Sequence, residues 1–185
     1  STLFPYTTLF RSDALKNSAN KDRKVINLLD VLGDKVKSEE VVEGMQEEEH
    51  EHEEGEAHEY GEEADEHVWL SLKNAEVLVG AISNALQELD AENMEIYAEN
   101  ADAYVKKLAA LDAEYQTAVD NASCKTVLFG DRFPFRYLVD DYGLNYYAAF
   151  IGCSAETEAS FETISFLAKK RSEERRVGKE CRSRW

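Results

Sequence analysis

Apolar side chains recur at Tyr97, Ala101, Tyr104, Leu108, Leu111, Tyr115 and Ala118. Alternating steps of four and three keep them on one face of an α-helix over three heptads. Asp90 offers a cap at the start, and the helix is expected to run to about Ala122. At 1.5 Å per residue such a helix is roughly 45 Å long. That is longer than one small domain is wide, so the helix must join two bodies or pair with a second helix. A heptad stripe suits a coiled coil, but Tyr and Ala stand here where a zipper would carry Leu. A backbone strut packed on its own protein is the preferred reading.

The segments around the strut differ in period. Upstream, Ala75, Leu78, Val79, Ile82, Ala85, Leu86 and Leu89 form the apolar face of a second helix. Further upstream, KVINLL at 24–29 reads as a short buried strand, and DVLGDKV as a helical turn ending near Gly33. Downstream, KTVLFG at 125–130 reads as a strand. FPFRYLVDDYG at 133–143 reads as a helix with Pro134 in its first turn and Gly143 at its stop. LNYYAAFIG at 144–152 is a second strand. ETEASFETISFLAKK at 156–170 opens another helix, with Thr157 or Ser160 as cap. Strand, helix, strand and helix with short connections imply a parallel sheet. The expected class is therefore α/β: the end of one lobe over 13–70, helices over 71–123 including the long inter-lobe helix, and the start of a second lobe over 124–170.

Between Glu43 and Glu66 thirteen of 24 residues are Asp or Glu, with His50, His52 and His58 among them. This composition does not pack a core and is expected to form a mobile loop. The whole 185-residue chain carries 38 acidic and 21 basic residues, net −17. Such a charge argues against nucleic acid as a partner and favours cations or basic surfaces. No apolar run approaches the ~20 residues of a membrane helix.

The ends differ from the rest. STLFPYTTLFRS at 1–12 and RSEERRVGKECRSRW at 171–185 hold seven of the 21 basic residues. Both resemble in-frame translations of one short-read sequencing adapter, read on opposite strands. They are set aside as scars, which leaves a clipped fragment over 13–170. Its two cysteines, Cys124 and Cys153, lie outside any metal-ribbon spacing and read as free thiols, or as a disulfide if the protein is exported.

Catalysis finds little support. No G-x-S-x-G elbow and no glycine-rich phosphate loop is present, and the chain is not expected to be an enzyme. The four histidines, all between 50 and 67, carry more information. Neutral imidazole suits zinc and several other first-row ions, and surrounding carboxylates concentrate cations. The segment holding His50, His52 and His58 admits three readings: a metal-gathering loop, a solvated acidic linker or a pH-sensitive tether. His67 differs, because it stands where ordered structure resumes, beside Trp69 and Leu70.

DEHVWLSLKNAEVL at 65–78 resembles the D-P-H-x-W-L-D-P-x-N-A stretch of the solute-binding subunits of bacterial zinc and manganese ABC importers. The likeness continues through AENMEIYAENADAYVKKLAALDAEY at 91–115 and FRYLVDDYGLNYYAAFIGCSAETEAS at 135–160. An acidic, His-rich loop before the His motif is similar to that of the zinc members. The resemblance implies a two-lobed metal-receptor fold with lobes joined by a long backbone helix and the ion in the cleft between them. It implies a monomeric extracytoplasmic receptor, periplasmic or lipid-anchored, that captures zinc and delivers it to an importer's membrane permease. Manganese is the alternative cargo. His67 matches the family's second ligand. The third would fall at Arg132, which does not bind metal; adjacent Asp131 substitutes if the strand end shifts by one residue. The first and last ligands fall outside 13–170, while His50, His52 and His58 form an auxiliary loop. Glu156 and Glu158 match an acidic family position, or simply charge a helix N-terminus. Two other functions stay open: a metal buffer acting through the His-rich loop, and an adhesin-like surface protein.

Overall fold

The computed structural model describes residues 20, 23–46, 64–152, 154 and 158–182, with side chains as far as Glu173. The first element is not the expected strand. Residues 24–27 are irregular, Val25 is exposed, and the chain turns into helix α1, Leu28–Leu32. The reason is local. The Asn27 side chain accepts a hydrogen bond from the Leu29 N–H and caps the helix. Gly33, at φ 52°, then ends it and leads into a 3-10 turn over Gly33–Lys35.

Helix α2 spans Leu72–Leu89 and helix α3 spans Met94–Asp120, with a 3-10 turn over Ala91–Asn93 between them. The two pack along each other. Asp90 accepts from the Tyr97 hydroxyl and the Asn93 amide, both at 2.9 Å, which fixes the corner. In α2, Leu78 and Ala85 are buried as expected, but Ile82, Leu86 and Leu89 stay 40–62% exposed. In α3 the inward line is Tyr97, Ala101, Val105, Leu108, Asp112 and Val119, while Tyr104, Leu111 and Ala118 face outward. A straight helix turns every 3.6 residues and drifts about 20° per heptad away from a strict 3.5 repeat. The structure follows the helix, not the heptad.

The second half is a parallel strand–helix–strand unit. Strand β1, Thr126–Phe133, pairs in parallel with β2, Asn145–Ile151, through α4, Arg136–Asp141. The expected helix over 133–143 is thus shorter, because β1 runs on to Phe133. Gly143, at φ 62°, turns the chain out of α4 into β2. The pairing slips by one between Phe129 and Arg132, so Gly130–Asp131 hold a bulge. Helix α5, Phe161–Arg182, follows, and Ser160 Oγ accepts from the Thr163 N–H as its cap.

Two small cores result. One joins Leu32, Val68, Leu78 and Tyr137; the other joins Met45, Phe133, Val139 and Ala148. Helix α4 serves both, sending Tyr137 to the first and Val139 to the second. Met45 corrects the reading of 43–66 as wholly unable to pack: it is buried, and Val42 beside it joins the same core.

Candidate functional site

Segments 37–46 and 64–71 are drawn together onto the α/β unit. Ser38 bridges Ala64, and the Asp65 N–H donates to the Lys37 carbonyl at 2.8 Å. The Tyr137 hydroxyl, fully buried, donates to the Asp65 carbonyl at 2.8 Å and accepts the Lys37 N–H at 3.0 Å. Burial, then the nearby Asp65 charge, raises its pKa above the usual phenol value. On the other side the Gln46 N–H donates to the Ala149 carbonyl at 2.9 Å, and its side chain accepts from the Ser160 N–H at 2.8 Å. Gln46 and Ala64 therefore anchor the two stems of the acidic segment. His50, His52 and His58 lie between them in sequence, outside the described residues; Cys153 and Glu156, further on, lie outside them too.

His67 follows directly from the second stem. It precedes a 3-10 turn over Val68–Leu70, after which Ser71 caps α2 by accepting the Asn74 N–H at 3.0 Å. Ser71 also donates to Asp141 at 2.5 Å, tying the cap to the end of α4. The Asn74 amide donates to the Val68 carbonyl at 3.3 Å. The D-E-H-V-W-L-S-L-K-N run is thus one folded knot, with Val68, Ser71 and Asn74 buried inside it.

The His67 ring is mostly covered. One carboxylate oxygen of Asp65 stands 2.8 Å from its Nδ1 and also 2.8 Å from its backbone N–H. Asp65 itself is 3% exposed. A carboxylate accepts hydrogen bonds and does not donate them, so Nδ1 carries the proton. In the neutral ring Nε2 is then left with a lone pair, the form that binds a metal. Trp69 lies 5.8 Å away, centroid to centroid, tilted by 55°. The ring also lies close to Gly152, just past the end of β2.

Asp131 sits in the β1 bulge, exposed, and accepts the Arg132 N–H at 2.7 Å. Arg132 Nε donates to the Ser154 carbonyl at 2.6 Å. The β1–β2 register shifts between Phe129 and Arg132, and Arg132 keeps its place opposite Phe150. Among the described residues, no three His, Cys, Asp or Glu side chains gather to hold an ion, so His67 and Asp131 do not form such a group here. Glu158 is exposed ahead of α5, and the half-buried Cys124 thiol donates to the Thr126 carbonyl at 3.7 Å. A shallow hollow beside the His67 knot is lined by Glu39, Glu40, Asp65, Arg136, Tyr146 and Gly152, among others. Arg136 faces Glu40 at 3.1 Å and Asp140 at 2.7 Å. Asp65 opens the D-E-H motif and Gly152 lies in the second motif stretch, but sequence reasoning gave neither a role. Nothing local marks Gly152 as a neighbour of His67.

The family described as zinc-uptake complex component A, periplasmic, matches residues 10–177. The zinc-binding lipoprotein AdcA of Streptococcus pneumoniae is 34% identical over 151 residues, covering 80% of this chain and 28% of that protein. The chain thus spans under a third of the length of this relative. Among solved structures, the AdcAII protein of Streptococcus pneumoniae aligns with a TM-score of 0.52 at 30% identity, over 60% of this chain and 42% of that one. The metal-dependent lipoprotein YcdH from Bacillus subtilis gives 0.52 at 31% identity with the same coverage.

Proposed function

The chain belongs to the zinc-uptake complex component A family and shares its α/β, two-lobed metal-receptor fold class, and from that premise we propose that it is an extracytoplasmic zinc receptor. It captures the ion and passes it to the membrane permease of an ABC importer, and it catalyses no reaction. The observation that carries this reading is the largely covered His67 ring, bonded through Nδ1 to Asp65, with Nε2 left to bind. Nitrogen donors of this kind favour zinc over harder ions, which puts manganese second.

Residues up to 70 supply the end of one lobe, α2 and α3 the connection, and 124–170 the start of the other. Asp131, in the bulge of β1, stands in for the family's third ligand. Glu39, Glu40 and Asp65 near the His67 knot, with the acidic segment beyond, hold cations close by. His50, His52 and His58 gather zinc between two stems that are both anchored near His67.

The test is a zinc titration of the chain with its flanking sequence restored, and of His67→Ala in the same protein, followed by calorimetry and by competition with a chelator. Affinity at one site is expected to fall at least about tenfold, since metal ligands are seldom dispensable. Equal affinity would remove His67 from the site. Exchanging His50, His52 and His58 for Ser should lower the number of ions bound while the single strong site persists. If that triple exchange abolishes all binding, the chain is a buffer that works through its His-rich segment.

A further inference from the structure

We propose that Asp65 and Gly152 are positioning residues for His67, one fixing the ring's proton and the other making room for the ring. This rests on the reading of His67 as a zinc ligand. The two act from different regions. Asp65 belongs to the stem bound to Lys37 and Tyr137, whereas Gly152 follows directly on β2. The carboxylate meets both the ring Nδ1 and the backbone N–H of His67, so ring and backbone are held by one buried oxygen. That oxygen cannot slide away, because the Asp65 backbone is itself bonded on both sides, to Lys37 and to Tyr137.

Gly152 acts by its missing side chain. A methyl group there would lie 2.9 Å from Cε1 and 3.1 Å from Nδ1 of His67, and 3.2 Å from the Phe133 carbonyl. A free ring would swing aside from such a contact. This ring could do so only by leaving Asp65. Alanine at 152 therefore forces a choice between the contact with β2 and the bond to the carboxylate. With glycine both hold, and Nε2 keeps one direction and its lone pair. Preset ring orientation of this kind is worth about 10–100-fold in metal affinity elsewhere.

The decisive measurement is the His67 tautomer in the metal-free chain, read from imidazole nitrogen shifts by NMR at about pH 8, where an ordinary imidazole is neutral. The proton is expected on Nδ1. Asp65→Ala should shift it towards Nε2 and weaken zinc binding about 10–100-fold. Asp65→Glu, which keeps a carboxylate, should restore part of the Nδ1–H population. Gly152→Ala should weaken zinc binding at least about tenfold. A wild-type proton on Nε2, or a population unmoved by Asp65→Ala, overturns the assignment of Asp65. The wild-type spectrum decides this even if the variant does not fold. Unchanged zinc affinity in Gly152→Ala overturns the assignment of Gly152. A failure of the ligand reading looks different: His67→Ala then binds zinc normally while the tautomer stays as predicted.

Discussion

Helices α2 and α3 and the β1–α4–β2 unit use their apolar residues in opposite ways. In the α/β unit Phe133, Tyr137, Val139, Ala148, Ala149 and Phe150 are all at most 3% exposed. In the 27 residues of α3 only Leu108 and Val119 are buried, and Met94, Ile96, Tyr104, Leu111 and Tyr115 are each more than 40% exposed. Both regions are rich in large side chains. The difference lies in how many elements converge. Strands β1 and β2, helix α4 and the 42–45 segment enclose one volume, whereas α2 and α3 have mainly each other. A pair of helices can cover only one stripe of each, so the wider apolar faces remain outside.

That contrast predicts a ranked series of stability effects, each read from chemical denaturation. Phe133→Ala should have the largest, about 3–5 kcal/mol, because its ring packs among Phe129, Phe135 and Tyr146 and leaves a cavity. A loss under about 1 kcal/mol would mean that the α/β core is no tighter than the helices. Ser71→Ala should cost about 1–2 kcal/mol, since it removes a helix cap and the hydroxyl bond to Asp141. Tyr137→Phe should cost about 1 kcal/mol by deleting the hydroxyl between Lys37 and Asp65. At the far end, Leu111→Ala on exposed α3 should stay within about 0.5 kcal/mol. A larger loss there would show that the outer face of α3 is covered in solution.

A pH titration sharpens the same comparison. Burial alone would raise the Asp140 pKa, but the Lys37 hydrogen bond and the Arg136 charge outweigh it and hold the carboxyl below its usual value. A lowered folded-state pKa means that the unfolded chain binds the proton more readily. The contribution is therefore complete above the unfolded value of about 3.9 and is lost as pH falls through the folded one. Asp140→Asn should flatten this acid limb, and an unchanged limb would remove the pair from the account.

The α/β unit was legible because its period changes sharply and Gly143 marks the turn between α4 and β2. KVINLL misled because short apolar runs do not distinguish strand from helix, and Asn27 settles the matter as a cap. The long helix was visible, but its inner face was displaced, since a 3.5-residue stripe was laid on a 3.6-residue helix. Met45 was hidden by the acidic residues around it. At the candidate site, the motif singled out His67. Asp65 became meaningful only when its carboxylate was seen on Nδ1, and Gly152 only when β2 brought it against a ring far away in sequence.

The Tyr137 hydroxyl also imposes an order of events. It bonds Lys37, a residue made 100 positions earlier. At about 5–20 residues per second, a ribosome needs roughly 5–20 seconds to cover that distance. Throughout that interval Lys37, Asp65 and the His67 knot exist without the helix that secures them. A chain with thirteen carboxylates between residues 43 and 66 is well suited to the wait, because it repels itself and stays solvated until α4 arrives.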